Sequence, residues 1–185
     1  MGDANRPAVL VVGVGNRARG DDGAGLEVAR RVCERVRGDG FEVREVCGDP
    51  TELLEVCLGR EAMVLIDAMG SGASPGTFLR FDASDDPLPG QQRDGPSSTH
   101  AVSLAETIEL ARAVGRLPPR VIVYTVEGRQ YDAGAGLSDE LAATIPTLVE
   151  RVSREVDTLR ASGRSGPCFS AGEIASVPDG AARRR

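Results

Sequence analysis

GVGNRARGDDGAG, residues 13–25, leaves the apolar run AVLVVGV (8–14) and opens a helix. The run is rich in valine and does not alternate, which marks a strand covered on both faces. A strand that turns through glycines into a helix starts an α/β unit. Gly13-Val14-Gly15-Asn16-Arg17-Ala18 also fits the dinucleotide-binding fingerprint in its Gly/Ala form. Asp21 and Asp22 then stand at the helix end that would face a pyrophosphate. Each unit charge about 4 Å from an anion costs about 1 kcal/mol in water, and more in a shielded cleft. The ribose-binding acid expected about 20 residues beyond the glycines has only Glu45 and Asp49 as candidates, both far along. A tight strand-to-helix turn needs glycines whatever it binds. A nucleotide-binding oxidoreductase therefore stays open as one alternative.

Outward from this loop, strands and helices alternate. Asp21 or Asp22 is expected to cap a helix over about 23–37, with Leu26, Ala29 and Val32 or Cys33 inward and Gly38 at its end. FEVREV (41–46) alternates like a strand, and Pro50-Thr51 open a short helix, TELLEVCL. AMVLIDA (62–68) is a buried strand with Asp67 near its C-terminal end. TFLRF (77–81) follows the turn GSGASPG too closely for a helical crossover, so it is expected to run antiparallel. Residues 83–98 read as a loop, and a helix is expected from Ser98–His100 to about Gly115. RVIVYTV (120–126) is a strand. Residues 138–160 form a helix in which Leu141, Ile145, Leu148, Val149, Val152, Val156 and Leu159 keep a 3.6-residue rhythm. The sum is an α/β domain with a mainly parallel sheet in which one strand runs antiparallel. One domain is expected over 1–161, with a disordered C-terminal tail over 162–185.

Composition narrows the function. In 185 residues, 41% hydrophobic and 27% charged content belongs to an ordinary soluble protein. A net charge of −6 argues against a nucleic-acid partner, and 3% aromatics with no Trp leaves no stacking platform. No apolar run approaches the roughly 20 residues of a membrane span, and the N-terminus does not read as a signal peptide. Cys33, Cys47, Cys57 and Cys168 form no CxxC pair, so free and mostly buried thiols in a reducing cytoplasm are expected.

In parallel sheets, ligands bind beyond the carboxyl ends of the strands, at the switch point. Asp22, Asp67 and His100, the single histidine of the chain, should fall there. Two carboxylates and an imidazole make a mixed O/N site for a borderline divalent metal. At a helix N-terminus His100 should be neutral and free to ligate. Each also has a plainer role: Asp22 as an N-cap, Asp67 as a turn cap, His100 as a surface or capping histidine. Cys47 before Gly48-Asp49-Pro50 suggests a nucleophile, but only His100 could serve it. Glu127 reads as a solvated loop residue rather than part of the crevice.

These residues resemble the hydrogenase maturation endopeptidases, cytoplasmic proteases that remove a C-terminal extension from the large subunit of nickel–iron hydrogenases. The family pattern of an apolar strand, GxGN, a spacer and an Asp-Asp or Asp-Glu pair matches VLVVGVGNRARGDDGAG. A strand ending in Asp-Ala matches MVLIDAMGSG, and a histidine opening a helix matches STHAVSLAE. The resemblance covers roughly residues 8–160 and implies an α/β three-layer sandwich, a twisted five-stranded, mainly parallel sheet with one antiparallel strand and helices on both faces. It also implies that Asp22, Asp67 and His100 contact metal and act in catalysis, the nickel being supplied by the precursor. It further implies an aspartic or metal-dependent endopeptidase, a monomer, whose partner is the hydrogenase large-subunit precursor. Asp21 is left to capping or to support of the cluster. Many members carry a Gly-Thr or Gly-Gly element where this chain has Cys47-Gly48-Asp49-Pro50-Thr51. A non-catalytic nickel-binding assembly factor using the same cluster is the other alternative.

Overall fold

The computed structural model describes residues 7–88 and 104–163. In chain order these form strand β1 (Val9–Val14), a 3₁₀ turn (Gly20–Gly23), helix α1 (Ala24–Arg35), β2 (Phe41–Val46) and α2 (Pro50–Val56). Then follow β3 (Ala62–Met69), β4 (Phe78–Asp82), α3 (Leu104–Ala113), β5 (Arg120–Glu127) and α4 (Asp139–Gly163). The strands make one sheet in the order β2-β1-β3-β5-β4. β1 runs parallel to β2 and β3, and β3 parallel to β5, while β4 is antiparallel to β5. This is the expected architecture, and the short connection from Met69 to Phe78 is what turns β4 back.

Strand alternation sorts the apolar side chains into two cores. Val9 and Val11 of β1 and Val64 and Ile66 of β3 face α1 and α4. Leu10, Val12, Met63 and Leu65 face Leu53 of α2 and Ile108 of α3. Each such aliphatic side chain contributes about 1.5–3 kcal/mol when fully buried. Helix α4 buries all seven residues of the predicted rhythm, from Leu141 to Leu159. Pro146 lies inside α4 on its exposed side, where the carbonyl its missing N–H leaves open can meet water.

Several local expectations are corrected. The acids of the first loop do not cap α1. A 3₁₀ turn intervenes, Gly23 becomes the N-cap, and no side chain bonds the cap. Helix α1 stops at Arg35 because Val36 is already extended, and Gly38 and Gly40, both at positive φ, turn the chain into β2. Helix α2 follows its prediction, with Pro50 as its first residue and the Asp49 carboxylate accepting from the Thr51 amide at 2.8 Å. Of the described thiols only Cys57 is buried, and burial pushes it up to about 11 despite nearby Arg60; Cys33 and Cys47 are exposed. The start of the helix at Ser98–His100, most of the 83–98 loop and nearly all of the tail lie outside the described residues.

Candidate active site

Strand order reverses at β1, which has β2 on one side and β3 on the other. Pairing of β1 with β3 ends at Gly13↔Ile66, so Asp67 is the first residue of β3 past its last pair with β1. Glycines let the departing chain sit close. A Cβ at Gly25 would lie 2.3 Å from the Ile66 carbonyl oxygen and 2.5 Å from that of Val14. A Cβ at Gly13 would lie 2.5 Å from the Gly25 carbonyl oxygen. The start of α1 therefore rests on the β1–β3 seam, and the 3₁₀ turn carrying Asp22 touches β3. Gly15, at φ +135°, would place a Cβ 1.8 Å from the Asp22 carbonyl oxygen, so only glycine fits beneath the turn.

Asp22 and Asp67 are thus brought to one edge of the sheet, at its switch point. Asp22 is half-buried, and among the described residues its carboxylate has no hydrogen bond or ion pair. Asp67 is 4% exposed and faces the side covered by α2 and α3, in register with Thr125 of β5. Thr125 is equally buried, and its hydroxyl has no partner among the described residues. His100 lies outside the described residues. Among the described ones no three His, Cys, Asp or Glu side chains cluster as a metal site.

Two further acids shape this edge. Asp21 is fully buried; its carboxylate accepts the amides of Arg129 (2.7 Å), Gln130 (3.0 Å) and Ser138 (2.7 Å). Burial pushes its pKa upward, but these amide bonds outweigh burial and hold it below the ordinary carboxylate value. Glu127, expected in a solvated loop, is instead the buried last residue of β5. It accepts the Ser71 and Gly72 amides and the Ser71 hydroxyl, each at 2.8 Å, and so fixes the turn after Asp67. The one available signal was the strand pattern of RVIVYTV, which the structure extends by one residue.

The nucleotide alternative loses its supporting residues. Glu45 pairs with Arg17, Asp49 caps α2, and the glycines are accounted for by backbone packing. Cys47 is exposed at the end of the edge strand β2, on the far side of β1 from Asp67.

A family model described as hydrogenase maturation protease matches residues 30–155. The chain is 26% identical over 157 residues to the hydrogenase 2 maturation protease of Escherichia coli K12, covering 84% of this chain and 92% of that one. It is 28% identical over 151 residues to the hydrogenase expression/formation protein HupD of Rhodobacter capsulatus, covering 80% and 70%. Among solved structures, it superposes on the hydrogenase maturating endopeptidase HybD of E. coli with a TM-score of 0.67 at 26% identity, over 84% of this chain and 93% of that one. HybD of Thermococcus kodakarensis gives 0.59 at 26% identity, over 80% and 97%. With a sheet, a switch point and two acids arranged as described, the chain belongs to the hydrogenase maturation protease family.

Proposed function

We propose that this protein is an endopeptidase that removes the C-terminal extension of a nickel-loaded [NiFe] hydrogenase large-subunit precursor, using Asp22, Asp67 and His100. The observation that carries this reading is the delivery of Asp22 and Asp67 to one edge, with Asp22 unpaired among the described residues. Family membership supports the protease activity. In this reading nickel arrives as part of the substrate. Two carboxylates and an imidazole leave coordination positions for the precursor's own ligands, and so distinguish a loaded precursor from an empty one. A carboxylate of the pair takes a proton from water as its oxygen adds to the scissile carbonyl carbon. The C–N bond then breaks, and that proton passes to the departing amine. The same reading places the enzyme in the cytoplasm, as a monomer acting on one partner protein.

The test is to incubate the protein with nickel-loaded and nickel-free precursor and weigh the products. Loss of a C-terminal peptide from the loaded form alone is expected. A cognate loaded precursor that keeps its full mass refutes the reading.

A further inference from the structure

The segment 128–138, which joins β5 to α4, is tied both to the first loop, which carries Asp22, and to the end of β3, which carries Asp67. From Arg129 to Ser138 it is knit to the first loop. Besides the three amides on the Asp21 carboxylate, the Asp21 amide donates to the Gln130 carbonyl (2.8 Å), the Gly20 amide to Ala135 (3.2 Å) and the Gly134 amide to Ala18 (2.7 Å). At Gly128 and Tyr131 it is knit to β3. The Gly128 amide (2.8 Å) and the Tyr131 hydroxyl (2.6 Å) both donate to the Met69 carbonyl, two residues beyond Asp67. The two anchors meet across Gly128, where a Cβ would lie 2.4 Å from Tyr131 Oη and 2.8 Å from Asp21 Cβ.

We propose that segment 128–138 is a brace that sets the spacing of Asp22 and Asp67, with Asp21 and Tyr131 as its positioning residues. The proposal rests on the endopeptidase reading given above. Asp21 is covalently next to Asp22, and Tyr131 holds the strand end that carries Asp67. Each bonds the protein's own backbone beside one of the two aspartates, and through that bond it bears on their placement. Holding catalytic groups within fractions of an ångström is what makes such anchors matter to rate, since a misplacement of about 1 Å can cost about a hundredfold.

The experiment compares Tyr131→Phe and Asp21→Asn with Tyr124→Phe, using kcat and KM for the loaded precursor and the thermal midpoint of each variant. Tyr124 also donates its hydroxyl, to Glu155 at 3.1 Å, but in the core facing α4. Tyr131→Phe should lower kcat about tenfold with KM within about twofold and the midpoint nearly unmoved. Tyr124→Phe should leave kcat alone. A Tyr131→Phe enzyme that processes at the wild-type rate overturns the brace, as does a kcat loss of equal size in Tyr124→Phe. Either result leaves the endopeptidase reading standing, whereas a wild-type protein that cuts no loaded precursor removes both. Should Asp21→Asn not fold, the Tyr131 and Tyr124 pair decides alone.

Discussion

Where the strands begin, Arg60 is buried against the carboxylate of Glu42 and the carbonyls of Pro7 and Val56. Where they end, Asp21 and Glu127 are buried against amides and one hydroxyl, and no cation pairs with them among the described residues. Dehydrating an ion costs several kcal/mol, so both ends need compensation. The first end answers charge with charge and closes on itself. The second answers with dipoles, which satisfy the acceptors without supplying a positive charge. Acids held this way suit the proposed reading, in which the substrate brings the cation. In that reading one end of the sheet serves stability and the other reception.

The largest expected effect breaks the receiving end. Asp67→Ala should reduce processing of loaded precursor by a hundredfold or more, on the order of what a lost acid–base or ligand group costs. A cooperative thermal transition would show that the fold survives, and full cleavage by this variant would remove Asp67 from the site. Next, Arg60→Met breaks the closed end. It leaves Glu42 without its buried partner and should cost about 2 kcal/mol in denaturant unfolding, with processing per folded molecule unchanged.

The closed end also carries a pH signature. Burial works against charge on Glu42, but Arg60 and Arg44 outweigh it and depress its carboxyl below the usual value. A depressed carboxyl contributes stability that is present above its unfolded pKa, about 4.3, and is lost as the pH falls through the lower folded value. Wild-type protein should therefore lose more stability than Arg60→Met between about pH 5 and 3; equal losses would show that the pair does not titrate as described. The smallest effect sharpens the contrast from the other side. Thr125→Val removes a buried hydroxyl without a partner among the described residues, so stability should rise by about 1 kcal/mol. A fall would reveal a bond made by that hydroxyl.

What the sequence disclosed follows the range of the forces involved. Periodicity is local, so α4 and the buried strands could be read directly, and Pro50-Thr51 announced a helix start. The placement of Asp22 and Asp67 at one edge was legible because strand ends and a switch point are topological consequences of that pattern. The work of Asp21 was not, because its amide partners lie in a segment more than a hundred positions away. Glu127 was misread for a related reason: a charged residue after a strand is ordinarily solvated, and only the turn at Ser71-Gly72, brought alongside by strand pairing, gives it reason to be inside. The capping role expected of the paired aspartates failed because a 3₁₀ turn uses the residues a cap would need.

Gly15 shows how these levels separate under mutagenesis. It offers no donor, charge or nucleophile from a side chain, yet nothing larger can stand there without displacing the turn that carries Asp22. A saturation scan of this loop should therefore find Gly15 as intolerant as the aspartates, for a reason unrelated to bond-breaking. The two classes come apart when soluble yield is scored beside turnover: in the proposed reading an Asp22 substitution should leave an inert but intact protein, while Gly15→Ala shifts the scaffold itself. Indispensability in such a scan reports geometry as readily as reactivity.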